Sequence, residues 1–118
     1  MNRLNATVTE ILAEQNLHII RFDFQGTSLS MMGLDLPLGL KIGSKVVLGA
    51  KPSHLAIGKN LSGELSYSNQ LDAQIIGIEN GKLLSSLILH VNDITLQSFI
   101  TCKSSQRMNL CVGDSVKL

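Results

Sequence analysis

The stretch LKIGSKVVL (residues 40–48) is echoed by the last nine residues of the chain, LCVGDSVKL (residues 110–118). Leu40, Gly43, Val46 and Leu48 return as Leu110, Gly113, Val116 and Leu118, and Ile42 is answered by Val112. A second match lies upstream, where NRLNATVTEI (residues 2–11) aligns with NQLDAQIIGI (residues 69–78). Asn2, Leu4, Ala6 and Ile11 match Asn69, Leu71, Ala73 and Ile78, and Val8 is answered by Ile75. The offset is 67 residues at the first match and 70 at the second, the signature of a loop that differs by three residues. Two matches in the same order indicate a duplication, from which any fold assignment has to start. The repeat divides the chain into one unit at residues 1–60 and a second at 61–118.

Each unit reads as short strands. ATVTEILA alternates in part, LHIIRFDF is β-branched and aromatic, and SKVVLGA and SHLAIG stand beside Gly or Pro punctuation. AQIIGIE, LSSLILHV and ITLQSFIT repeat the scheme, and the Asn-Gly pair of ENGK (residues 79–82) predicts a hairpin. SSQRMNLCVGD holds the best candidate for a short helix or turn. Gly43 and Gly113 close corners at which glycine accepts a positive φ without strain. About five short strands per unit favour closure over an open sheet, because closure hides the edges. The expected fold is all-β, two small five-stranded barrels in tandem. The second copy has no counterpart of GAKPSHLAIG (residues 49–58), so its closing strand is expected to be missing. Three outcomes are open: the N-terminal segment or a neighbouring chain fills the gap, the native chain is longer, or the unit stays open. Edge pairing in an oligomer or a shortened chain is the preferred expectation.

Bulk properties narrow the function. The 118 residues are 44% hydrophobic but only 3% aromatic, so the core has to be aliphatic. Lobes of about 50–60 residues are marginal alone and should share a core or oligomerise. The net charge is +1 with no basic block, which argues against phosphate neutralisation on a nucleic acid, and the few aromatics argue against base stacking. No run of 18 apolar residues predicts a membrane-spanning helix. Cys102 and Cys111 follow no metal or redox spacing and are expected as idle thiols of a cytoplasmic protein. His18, His54 and His90 are scattered, no GxSxG elbow or Walker A motif occurs, and an enzyme is not expected.

An opening S-x-x-N-Q-L-x-A, a turn L-x-(I/V)-G-D-x-V and a closing K-x-S-H-(L/V) together resemble the Mop, or TOBE, domain. SYSNQLDAQIIGI and LCVGDSVKL supply the opening and the turn in the second unit; NRLNATVTEI, LKIGSKV and AKPSHLAIG supply all three in the first. The resemblance covers nearly the whole chain and implies tandem OB-like barrels that bind molybdate or tungstate. Such domains occur as free molybdenum-pterin-binding or storage proteins, as C-terminal domains of molybdate transporter ATPases, and as sensor halves of repressors. Their oxyanion usually sits between domains or subunits, which implies self-association.

A tetrahedral dianion needs hydrogen-bond donors and some positive charge. The resemblance places the donors in three segments. Ser66, Ser68 and Asn69 stand in the opening segment, with Ser68 where an Arg often lies. Lys51 and Ser53 stand in the K-x-S. Thr101 and Ser104 stand in a T-x-x-S at a helix start, where they are also an ordinary N-cap. The first unit has LSMMGLDLP in that region, with no such pair, and Met31 and Met32 are expected as core or interface filler. The donors divide between the units, so one composite site per chain, or sites shared across an oligomer, is expected. The expected function is a cytoplasmic molybdate- or tungstate-binding protein concerned with molybdenum storage, homeostasis or transport regulation. A Met directly ahead of the first unit favours a free tandem protein. The alternative is a regulatory or dimerisation domain of a molybdate ABC transporter ATPase, in contact with transporter subunits, with weak or no anion binding.

Overall fold

The computed structural model describes residues 1–36 and 39–118. Strands β1 (Asn2–Glu14), β2 (Leu17–Phe24), β3 (Thr27–Gly33) and β4 (Lys45–Ala50) form one sheet in the order β3-β2-β1-β4. Strands β5 (Asp72–Asn80), β6 (Leu84–Val91), β7 (Ile94–Thr101) and β8 (Ser115–Lys117) form the other in the order β7-β6-β5-β8. Helix α1 (Cys102–Arg107) follows β7, and Pro52–His54 makes a 3-10 turn after β4. The all-β expectation holds, with four strands in each sheet where five per barrel were expected.

The duplication is written into the core. Leu4, Ala6, Val8, Ile20, Phe22, Phe24 and Leu29 are buried in the first sheet. Their counterparts 67 positions on, Leu71, Ala73, Ile75, Leu87, Leu89, Val91 and Leu96, are buried in the second. Alternate residues of each strand face inward, as a period of two requires. Even the irregularities repeat: the β1–β2 register shifts between Val8 and Glu10, and the β5–β6 register between Ile75 and Gly77.

The glycine corners repeat bond for bond. Gly43 N donates to Val8 O at 2.8 Å and Val8 N to Ser44 O at 2.9 Å; Gly113 N donates to Ile75 O at 2.7 Å and Ile75 N to Asp114 O at 2.9 Å. Gly43 and Gly113 hold φ of 92° and 97°, the conformation expected of them. The residue after each glycine closes the turn with its side chain: Ser44 Oγ accepts from Lys41 N at 3.1 Å, and Asp114 Oδ2 from Cys111 N at 2.8 Å. Lys59 adds a second partner, its Nζ standing 3.0 Å from Asp114 Oδ2 and donating to Asn109 O at 2.7 Å. The bond from the Cys111 amide, with Lys59 behind it, holds the Asp114 carboxyl below its ordinary pKa.

The predicted hairpin at Asn80 forms, with β5 ending there and β6 starting at Leu84. It does not use positive φ at Asn80 or Gly81; Gly81 N instead donates to Leu84 O at 2.8 Å. The thiol of buried Cys102 donates to Gly81 O at 2.9 Å, so this cysteine packs and braces the loop. Cys111 is exposed, and both thiols are free.

The compact units do not follow the 60/61 boundary. One, the C-lobe, comprises Met1–Asn2, Gly49–Leu65 and Gln70–Leu118; the other, the N-lobe, comprises Arg3–Leu48 and Ser66–Asn69. The segment that closes the first repeat in sequence therefore packs with the second repeat. Its 3-10 turn lies against β7, where buried Ser98 Oγ donates to Leu55 O at 2.6 Å. Gly58 then pairs with β8, donating to Lys117 O at 2.7 Å and accepting from Lys117 N at 2.8 Å. The edge that sequence reasoning left open, or assigned to an oligomer, is covered from within the chain, and the N-terminal residues join the same lobe. Alignment of repeats reports likeness between segments and carries no information on which sheet a segment pairs with, which is why this exchange was not foreseen. In the N-lobe the counterparts of Ser98 and Lys117 are Met31 and Val47, which are 54% and 59% exposed. Met32 is exposed as well, so the methionine pair is not core filler.

Two predictions follow from these contacts. Ser98→Ala removes the buried hydroxyl and leaves the half-buried Leu55 O without this partner, and should cost about 0.5–1.5 kcal/mol of stability in urea unfolding; an unchanged midpoint would show that segment docking does not rest on this bond. The Asp114 carboxyl is depressed in the folded chain, so its stabilisation is present above the unfolded carboxylate pKa and is lost as pH falls through the folded value. Asp114→Asn should therefore melt below wild type at neutral pH, and the two melting temperatures should converge in acid.

Candidate oxyanion-binding site

The T-x-x-S pair is set by the junction of β7 and α1. Thr101 keeps an extended backbone (φ −72°, ψ 148°) and caps the helix, its Oγ1 accepting from Ser104 N at 3.1 Å. The Thr101 hydroxyl donates to Ser104 Oγ at 3.0 Å, and Arg107 Nη2 donates to the same oxygen at 3.3 Å. Ser104 Oγ thus accepts twice, which leaves its own hydrogen unspent for an outside acceptor. Thr101 is exposed and Ser104 half-buried, so this chain of donors opens to solvent.

Sequence reasoning missed Arg107. Its signal was the spacing of three from Ser104 within a helical stretch, which puts both residues on one face. It brings a guanidinium to a pair that the sequence supplied only with hydroxyls and the neighbouring Lys103.

Lys51 and Ser53 lie at the 3-10 turn. Pro52 follows Lys51 and its fixed φ suits the first helical position. His54 N donates to Lys51 O at 2.9 Å and closes the turn. Both Lys51 and Ser53 are exposed, and Lys51 forms no ion pair among the described residues, so its charge is not spent on the protein. The turn that holds Ser53, with Lys51 just ahead of it, packs on β7, the strand that ends at Thr101.

Ser66, Ser68 and Asn69 are exposed and fall in the N-lobe. The Asn69 carboxamide is engaged at both ends by one residue of β3: Oδ1 accepts from Ser30 N at 2.7 Å and Nδ2 donates to Ser30 O at 2.8 Å. The seven candidates thus fall into two sets, with Lys51, Ser53, Thr101 and Ser104 in the C-lobe and the opening segment in the N-lobe. In the first repeat, Leu34 occupies the place of Thr101 and is exposed; Pro37, the last residue of LSMMGLDLP, lies outside the described residues. Among the described residues no group of three or more His, Cys, Asp or Glu is placed to hold a metal ion, and no helix is long and apolar enough to cross a membrane.

The chain is 28% identical over 115 residues to the molybdate/tungstate import ATP-binding protein WtpC of Pyrococcus abyssi (strain GE5 / Orsay). That match takes in 98% of this chain and 33% of the relative, so the chain spans about a third of the curated relative's length. No family model matches the chain. Among solved structures, the cytoplasmic molybdate-binding protein ModG, crystallised with molybdate bound, superposes with a TM-score of 0.91 at 21% identity, over 98% of this chain and 86% of that one. The chain therefore has the fold of ModG, and the two matches together support the Mop/TOBE-type resemblance read from its motifs.

Proposed function

We propose that this chain binds molybdate or tungstate in the cytoplasm, as a carrier, store or regulator of the oxyanion. The observation that carries this reading is the agreement of the whole fold with a cytoplasmic molybdate-binding protein at a TM-score of 0.91. The chemistry of the exposed donors supports it. A dianion of this shape is satisfied by hydroxyls, N–H groups and one or two cations, and Lys51, Ser53, Thr101, Ser104 and Arg107 are of those kinds. Ser66 and Ser68 supply further hydroxyls in the N-lobe. The protein acts by binding and not by turnover, and it works as a homo-oligomer of tandem Mop units in which neighbouring copies complete the sites.

A second reading has its own observation, the similarity to an import ATPase. In that reading the chain is the regulatory or dimerisation part of a transporter ATPase, in contact with other transporter subunits, and anion binding is weak or lost.

Isothermal titration with molybdate, with sulfate and phosphate as controls, separates the two. Saturable molybdate heat is expected from the wild type, and Lys51→Ala should weaken it roughly ten- to a hundredfold, the loss of one charge-assisted hydrogen bond. No heat at millimolar molybdate from a folded, monodisperse protein overturns the binding reading and leaves the transporter-domain reading in front.

A further inference from the structure

The amide of Asn69 makes a bracket. An edge strand offers alternate residues whose N–H and C=O both point outward, ready for another strand. Ser30 is such a residue on β3, the edge of its sheet, and Asn69 answers both groups with one side chain, at 2.7 and 2.8 Å. The carboxamide has the donor and acceptor of a peptide group, so it stands in for one residue of a neighbouring strand. The same device occurs a second time. Asn2 Oδ1 accepts from Gln97 N and Asn2 Nδ2 donates to Gln97 O, both at 2.8 Å, on β7, the edge of the other sheet. Asn2 and Asn69 are 67 positions apart, as are Ser30 and Gln97, so the bracket belongs to the repeat and not to chance packing of a surface side chain.

The two copies differ in what they hold. Asn2 is buried, whereas Asn69 is exposed and follows Ser66, Tyr67 and Ser68. Those residues carry no helix or strand, yet Ser66–Asn69 is the part of the connecting segment that groups with the N-lobe. The bracket fixes the last of the four to a specific residue of β3.

Resting on the oxyanion-binding reading, we infer that Asn69 is a positioning residue. Its carboxamide pins the Ser66–Ser68 hydroxyls to the β3 edge, and it raises anion affinity through them without contacting the anion. An unpinned segment of this length would have to be ordered each time an anion binds, and that ordering is charged against affinity. Asparagine is required because aspartate keeps only the bond from Ser30 N and sets a carboxylate against Ser30 O.

The test uses the full chain with inorganic molybdate. Wild type, Asn69→Ala, Asn69→Asp, Ser66→Ala and the Ser66→Ala/Asn69→Ala double variant are titrated, and hydrogen exchange is followed at the Ser30 amide. Asn69→Ala and Asn69→Asp should each bind at least tenfold more weakly while the melting temperature stays within a few degrees of wild type. Ser30 exchange should quicken. The double variant should bind little worse than Asn69→Ala alone, because a freed segment has already lost the use of Ser66. Wild-type affinity in a folded Asn69→Ala with fast Ser30 exchange overturns the inference while leaving the binding reading intact. So do strictly additive losses in the double variant, which mark Asn69 as a direct ligand. A wild type that takes up no molybdate overturns both.

Discussion

The structure depends on how its sheet edges are satisfied. A four-stranded sheet of this size has two edge strands whose outward N–H and C=O groups need partners. In the C-lobe partners come from residues 51–65, a segment that follows β4 directly in the chain. Leu55 accepts the hydroxyl of Ser98, and Gly58 exchanges both of its main-chain groups with Lys117. Asn2 brackets Gln97 on the same lobe. Each of these bonds joins residues of the first repeat to strands of the second. Cooperativity within the C-lobe follows, since none of its edges is closed by the second repeat alone.

That exchange explains why the repeats have diverged where they have. Positions that build the inward face of each sheet stay apolar in both copies, because both sheets need a core. Position 98 differs. Ser98 is fully buried where Met31 of the first repeat is exposed. A hydroxyl at a buried site is tolerated only with a partner, and Leu55 O provides it. The covering segment has turned a surface position into an interior one, and the residue there has become the one that can bond to it. Asp114 and Ser44 diverge more gently. Either side chain can close the glycine corner, but only the carboxylate can also hold Lys59, which lies in the segment that the C-lobe takes from the first repeat.

Much of this was legible in the sequence. Three of the seven core pairs (Leu4/Leu71, Ala6/Ala73 and Val8/Ile75), both glycine corners, the helix after ITLQSFIT and the hairpin at Asn80 follow from periodicity, turn chemistry and the repeat, whereas the pairs in the later strands carry no residue identity except at Leu29/Leu96. Pairing across the repeats was not legible, because register between distant segments is set by hydrogen-bond partners that alignment cannot name. The candidate site was legible in its residue types and not in its roles. Thr101 and Ser104 were found as donors, but Arg107, which bonds Ser104, lay one helical turn beyond the motif. Asn69 was found as a donor, yet its amide is committed to Ser30.

The charge balance bears on how such a site selects its ligand. With a net charge of +1 the chain has no strong field to draw anions from a distance, and at physiological ionic strength charges more than about 8 Å apart are largely screened. Attraction therefore has to come from groups close to the anion. Molybdate, tungstate and sulfate share charge and shape, so on the proposed oxyanion-binding reading Lys51 and Arg107, as cations, favour all three alike. On that reading discrimination falls to neutral donors held at fixed spacing, because a larger tetrahedral ion reaches hydroxyls and amides that a smaller one leaves unpaired. Fixed spacing is what the cap at Thr101, the turn at Pro52 and the bracket at Asn69 each provide. On the oxyanion-binding reading proposed above, selectivity within each lobe rests on the hydrogen bonds that hold its donors still, more than on the donors themselves.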